Sequence, residues 1–250
     1  MSATHSTLEL EKLRQSCGNC ALHDMCLPAA IDGQDLARLE RVVKSRRPLE
    51  RGDVLFHEGT ELPSLFVVRS GSLKTFTTLP EGDVQVLGFH LPGEIIGFDG
   101  LSGERHRASA EALECATVCE VPFVRLSEVA SSVPGLQMQL YRVMSREFVR
   151  EQQHPVMMGR KQAMARLALF LHGFAERRRA TGLDDTDLTL SMSRQDLANY
   201  LGLVVETVSR LFSRLQVMGV LAVERKRVRI VDASALETLA AGEDEIRLDS

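Results

Sequence analysis

From Pro48 to Phe123 the chain is cut into short apolar runs, VLFH, SLFVV, VQVLGFHL, EIIGF and TVCEVPF. Turn signals separate them at Arg51-Gly52-Asp53, Glu58-Gly59, Ser70-Gly71, Glu81-Gly82-Asp83 and Pro92-Gly93. Runs this short do not bury a helical face, and the glycines in the turns between them let the backbone reverse, so the segment is predicted to be a small antiparallel barrel or sandwich. Ahead of it, Leu36, Leu39 and Val43 fall on one face of a short helix from Asp35 to about Val43.

After Gly135 no glycine occurs before Gly159, and the periodicity turns helical. Tyr141, Met144, Phe148, Glu151 and Pro155 recur at alternating steps of three and four, the spacing of a coiled-coil seam. That stripe fits either a dimer contact or a core helix lying on its own β-domain. In a two-fold dimer Glu151 faces its own symmetry mate and opposes association. Pro155 removes a helical hydrogen bond, which predicts that the helix kinks or ends near His154. A second helix is expected from Arg160 to about Arg178.

The last third carries a local code for two helices and a ribbon. Ser193 can cap a helix of RQDLANYL, Gly202 marks a tight turn, and VVETVSRLFSRLQVMG forms a second helix ending at Gly219. Ala198, Val208 and Leu211 are expected to fill the angle between them. Beyond Gly219 the segment VLAVERKRVRIV alternates around a basic tip, as a two-stranded wing does. Helix, glycine turn, helix and wing together form a winged helix-turn-helix. Glu206, Ser209 and Arg210 leave one face near the start of the second helix, where a recognition helix meets base edges. Arginine can donate two bonds to guanine, glutamate can accept from cytosine, and serine suits either. Arg194, Arg214, Lys226, Arg227 and Arg229 are placed to neutralise phosphates. Glu206 and Arg210 can also form a local ion pair on a merely solvated face.

The remaining signal is Ser16 to Cys26, SCGNCALHDMC, three cysteines in a chain whose other two are Cys115 and Cys119. No apolar run of signal-peptide or membrane-spanning length occurs, so a cytoplasmic protein is expected, and there clustered thiols bind metals or sense redox state more often than they pair. A net charge of −4 excludes a uniformly basic nucleic-acid binder and leaves room for a local patch. Four thiols suit an iron-sulfur cluster, while zinc prefers two short-spaced couples; His23 is the one residue that could replace a thiol for zinc. Cys115 and Cys119 have the same parity in a strand, so the spacing alone does not choose between them.

Taken together, the leader cysteines, GFHLPGEIIGFD, VCEVPF and ETVSR resemble the FNR branch of the CRP/FNR transcription regulators over nearly the whole chain. The resemblance implies an α+β fold: an N-terminal antiparallel β-roll of the cyclic-nucleotide-binding kind, a long dimerisation helix and a C-terminal winged helix-turn-helix. The corresponding divisions are a cysteine-bearing leader at 1–30, the β-roll sensor domain at 31–132, the dimerisation helix at 133–159 and the DNA-binding domain at 160–250. It implies a [4Fe-4S] cluster held by Cys17, Cys20, Cys26 and Cys119, leaving Cys115 as a spare buried thiol. It further implies base reading by Glu206, Ser209 and Arg210, a homodimer on two-fold DNA with TTGAT-like half-sites, and contact with RNA polymerase near Thr78 to Asp83. Val205 stands where the family commonly has threonine, and Pro155 is foreign to its dimer helix.

The function expected is oxygen sensing through the cluster and control of anaerobic genes, not catalysis. A cyclic-nucleotide-responsive regulator is the rival. That ligand calls for a glutamate soon after Gly97 and an arginine followed by serine or threonine; Phe98 and Arg107-Ala108-Ser109 do not meet the pattern. A regulator sensing oxidation of Cys17 and Cys20 without a cluster is the other. An enzyme is disfavoured because no carboxylate pair or glycine-rich phosphate loop accompanies the thiols and the wing would have no use.

Overall fold

The structure is a computed structural model that describes residues 17–160 and 162–242. The first sixteen residues of the expected leader, Lys161 and the last eight residues of the expected DNA-binding domain lie outside the described residues. What is described divides into two compact units. One comprises the chain up to Thr75 together with Phe89–Glu147; the other comprises Phe76–Gly88 and the chain from Phe148 onward.

In the first unit the leader winds through three short 3-10 turns and enters α1, Gly33–Val42, whose Leu39 is fully buried. The strands that follow are β1 (Lys44–Ser45), β2 (Val54–Phe56), β3 (Ser64–Ser70), β4 (Leu73–Thr78), β5 (Val84–His90), β6 (Ile95–Ile96), β7 (Ser109–Ala112) and β8 (Thr117–Pro122), of which Phe76–Thr78 of β4 and Val84–Gly88 of β5 belong to the second unit. They form two four-stranded sheets, in the orders β1-β8-β3-β6 and β2-β7-β4-β5. The pattern of short apolar runs anticipated β2, β3, β5, β6 and β8. It missed β4 and β7, LKTFTT and SAEA, which lack a large apolar run because one face of β4 is half exposed and β7 packs through alanines. Gly71, at φ +72°, turns β3 into β4 where any Cβ would strike the Cys115 carbonyl.

The continuous apolar run of β3 reflects burial on both faces. Phe66 and Val68 point into the roll with Leu55, Leu73 and Val118. Leu65 and Val67 point the other way, against Leu27, Leu39, Leu126 and Leu136 of the leader and helices. Strand β8 is antiparallel to β3, with Leu65 opposite Val121 and Val67 opposite Cys119. Directly opposed residues share a face, so Cys119 points toward the leader.

Two helices follow, α2 (Phe123–Ser132) and α3 (Pro134–Met158). The first went unread because its FVRLSEVASS begins immediately where β8 ends. Of the two outcomes expected at Pro155, a kink or an end near His154, the end is corrected: α3 continues to Met158 with Pro155 inside it. The carbonyl deprived of its donor belongs to Glu151, four residues back and exposed, so water can satisfy it.

The second unit holds α4 (Ala163–Ala180), α5 (Arg194–Leu201), α6 (Val205–Val217) and α7 (Ala233–Ala241). Its sheet runs β10-β11-β9, with β9 at Asp187–Thr189, β10 at Leu221–Glu224 and β11 at Arg227–Ile230. The wing is thus three-stranded, β9 being a short strand that periodicity does not reveal. The expected Ser193 cap is present and closes as a capping box: Ser193 Oγ accepts from the Asp196 N–H at 3.0 Å, and the Asp196 carboxylate accepts from the Ser193 N–H at 3.0 Å. Gly202 closes α5 at φ +62°. Val208 and Ala198 are buried between α5 and α6, but Leu211 is only half-buried and Phe212 and Leu215 take the inner positions. Among the described residues no helix is long and apolar enough to cross a membrane.

Candidate metal centre and nucleic-acid interface

The leader turns aim their thiols inward. The Cys20 N–H bonds the Cys17 carbonyl at 3.2 Å, the His23 N–H bonds Cys20 at 2.9 Å, and the Cys26 N–H bonds Leu22 at 3.0 Å. Leu22 and Leu27 anchor these turns by burial, and Glu40 of α1 accepts from the Gly18 N–H at 3.2 Å. The result is a cavity, partly open to solvent, whose wall includes Cys17, Cys20, Cys26 and Cys119. Val67 and Val121, beside Cys119 on β3 and β8, complete its floor.

Cys115 is elsewhere. It is exposed, in a bend before β8 begins at Thr117, and so is not the buried spare thiol expected. The shared parity with Cys119 fails because the two are not in one strand.

All five thiols are free. Burial pushes the Cys17 thiol up to about 11, with Cys119, Glu40 and Cys20 adding to the effect. Burial pushes Cys26 up to about 12, and Cys17, Cys119 and Cys20 again act on it. Cys119 is raised by burial too, against the pull of Arg69. Cys17, Cys26 and Cys119 therefore each feel at least one other thiol of the cavity. Arg69, half-buried at the end of β3, is the cation in the cavity wall. It went unnoticed in the sequence, where a lone arginine near a turn looks like any solvated one.

Four thiols around one cavity are the kind of donor set that an iron-sulfur cluster takes. Among the described residues no three His, Cys, Asp or Glu side chains are arranged to hold one metal ion. Zinc would need its ligands closed to bonds of about 2.3 Å around one centre, whereas in a [4Fe-4S] cluster each thiolate takes its own iron. His23, also in the cavity wall, has its Nδ1 3.0 Å from the Asp24 carboxylate.

On α6, Glu206, Ser209 and Arg210 are exposed together, as the spacing requires. Arg210 donates to Glu206 at 2.5 Å, and Ser209 Oγ donates back to the Val205 carbonyl at 3.0 Å. Both side chains of the ion pair are more than 70% exposed, so opening it costs little.

The five basic residues differ in availability. Arg214 and Arg229 are exposed. Arg227 is gripped by the Asp187 carboxylate of β9, and Lys226 Nζ donates to the Ser191 carbonyl at 3.3 Å. Arg194 lies 3.5 Å above the Phe212 ring, and burial pushes its pKa down. Its first role is to cover α6.

The turn between α5 and α6 is held by side chains that the sequence does not flag. Asn199 Oδ1 accepts from the Val86 N–H and its Nδ2 donates to the Val84 carbonyl, both at 2.6 Å. His154 Nε2 donates to the Tyr200 carbonyl at 3.0 Å, and Arg166 donates to the Leu201 carbonyl at 3.2 Å. Carbonyls that end a short helix thus find donors in other elements.

Along α3, Tyr141, Met144 and Phe148 are 56%, 42% and 65% exposed, so this stripe is not packed on the chain's own β-roll. Glu151 and Pro155 are exposed as well. An apolar stripe left in water on one helix is the usual mark of a partner surface.

Residues 46–132 match the family model described as a cyclic nucleotide-binding domain, and residues 165–239 match that of a Crp-like helix-turn-helix domain. The chain is similar to the transcriptional activator protein Anr of Pseudomonas protegens, 45% identical over 229 residues, or 92% of this chain and 94% of that protein. It is 38% identical over 224 residues to the fumarate and nitrate reduction regulatory protein of Escherichia coli K12, 90% of each chain. Among solved structures it resembles FixK2 from Bradyrhizobium japonicum, with a TM-score of 0.72 and 29% identity over 79% of this chain and 97% of that one.

Proposed function

Because the chain belongs to the FNR branch of the CRP/FNR transcription regulators, we propose that it is a cytoplasmic oxygen-responsive regulator of anaerobic gene expression. The observation that carries this reading is that three leader cysteines and Cys119 line one cavity while Cys115 lies outside it. Cys17, Cys20, Cys26 and Cys119 would hold a [4Fe-4S] cluster. That group supplies an oxygen-labile cross-link between the leader and β8.

The rest is the work of the chain. Three thiols on the leader and one on β8 tie the leader down beside α1 and α3. With α3 steadied, Tyr141, Met144 and Phe148 pack against the same residues of a second copy, opposed by Glu151. A few kcal/mol then suffices to move such a balanced equilibrium across its range. The dimer presents two α6 helices about 34 Å apart to a two-fold site with TTGAT-like half-sites. Glu206, Ser209 and Arg210 read base edges, with Arg214 and Arg229 on the phosphates. Arg194, Lys226 and Arg227 contribute to the same field while already engaged by Phe212, Ser191 and Asp187. The hairpin turn near Thr78 to Asp83 is the proposed contact for RNA polymerase.

The test is iron, acid-labile sulfide and zinc per chain in protein purified without oxygen, then a visible spectrum as air is admitted. About four irons and four sulfides per chain, with a band that bleaches in air, are expected. Zinc alone, or no metal, would leave a thiol-redox regulator.

Replacing Glu151 with alanine removes a like-charge contact across the dimer axis. Dimerisation in air should strengthen on the order of fivefold, from roughly 1 kcal/mol of relieved repulsion. Sedimentation that is unchanged would remove Glu151 from the seam.

The cyclic-nucleotide reading meets specific obstacles. The Ser109 hydroxyl already accepts from the Glu58 N–H at 2.9 Å, and Arg107 donates to Ser102 at 3.3 Å. Inside the roll His106 stacks on Phe56 at 3.6 Å. Calorimetric titration with cyclic AMP is therefore expected to give no binding tighter than about 1 mM. A micromolar constant would restore the rival.

A further inference from the structure

Two side chains of α3 reach back to the cysteine loop itself. Gln139 is only 4% exposed, and its Nε2 donates to the Cys26 carbonyl at 2.9 Å. Arg146 donates to the Met25 carbonyl at 3.0 Å. A third contact needs no side chain: a Cβ added at Gly135 would stand 2.5 Å from the Ala30 carbonyl oxygen, so the helix backbone comes as near to the leader as glycine permits.

Gly135, Gln139, the buried Val143 and Arg146 follow at steps of four, four and three, on one face of α3. At 3.6 residues per turn, Tyr141, Met144 and Phe148 leave on the opposite face. One helix therefore carries the cysteine loop on one side and the exposed apolar stripe on the other. The two loop carbonyls it holds belong to Cys26, whose thiol lines the cavity, and to the residue before it.

We infer that Gln139 and Arg146 are the positioning residues through which the cysteine loop sets the dimer face of α3. This rests on the reading of the four cysteines as cluster ligands. With the loop in place the buried Gln139 amide has its acceptor, and α3 is fixed in one rotation. When the loop leaves, Gln139 and Arg146 lose their acceptors and the face of α3 that the leader covered is opened to water, so nothing on that face keeps the helix from turning or fraying. Either movement takes the apolar stripe out of register with its copy.

The experiment compares wild type, Gln139→Leu, Arg146→Ala and Arg146→Lys, all purified without oxygen. For each, iron and sulfide are counted and the dimer dissociation constant is measured by sedimentation. Gln139→Leu and Arg146→Ala are expected to keep the wild-type iron count and visible band, yet dimerise about tenfold more weakly. Arg146→Lys, which keeps a donor, should restore dimerisation. Adding Glu151→Ala to either weak variant should also recover the dimer, which shows that the variants are folded.

Wild-type iron with wild-type dimerisation in both variants would overturn the inference and leave the cluster reading standing. Loss of iron in the variants would also overturn it, since the two residues would then merely build the cavity. A wild type without iron would sink the cluster reading and the inference with it.

Discussion

Cys119→Ser is expected to purify without iron and to lose the air-sensitive DNA binding, while Cys115→Ser keeps both. Cys119 sits opposite Val67 in the β3–β8 ladder and shares the face of Val121, which places its sulfur in the cavity wall with the three leader thiols. Serine preserves the shape, but its hydroxyl is a poor ligand for a site built on soft thiolates. Three thiolates leave one iron without its protein ligand, and the leader is no longer joined to β8. If dimerisation depends on that join, the two α6 helices cease to act as one bivalent reader. The loss in affinity for a two-fold site is then about 100-fold or more. Cys115, exposed before the strand begins, has no part in this. Metal analysis and gel-shift titration without oxygen separate the two variants. Iron retained in Cys119→Ser and lost in Cys115→Ser would overturn the assignment.

Arg210→Ala should cost about 1–3 kcal/mol at one guanine-cytosine pair of each half-site, or roughly 5- to 150-fold, and little at other positions. The free protein holds this guanidinium ready, 78% exposed and paired only with the equally exposed Glu206. Arg214→Ala is the contrast. As a phosphate contact its loss should weaken all sequences alike and reduce the salt slope by about one. Binding to a set of single-substituted half-sites at two salt concentrations distinguishes them. A uniform loss for Arg210→Ala would move Arg210 from base reading to the backbone.

The sequence by itself determined the features whose causes are local. Ser193 and Asp196 make their capping box within four residues, Gly202 supplies the left-handed turn, and the three-four spacing of Glu206, Ser209 and Arg210 sets one helical face wherever that helix is placed. The glycine-punctuated runs named a small antiparallel β-domain because strand burial and chain reversal are written in neighbouring residues. The continuous apolar run of β3 needs no partner to be seen.

Only the tertiary structure decided what depends on register, burial and distant partners. That β8 begins at Thr117 separates Cys119 from Cys115, and no property of either cysteine states where a strand begins. Pro155 reads as a kink or an end of the helix, because the sequence cannot show that Glu151, whose carbonyl loses its helical donor, is exposed. Gln139, Arg146 and Asn199 read as ordinary solvated residues. Their weight comes from carbonyls and amides far along the chain, at Cys26, Met25, Val84 and Val86, which offer those side chains a partner once the fold has brought them near. A hydrogen bond between remote residues leaves no periodicity, since each end satisfies its own local pattern without it.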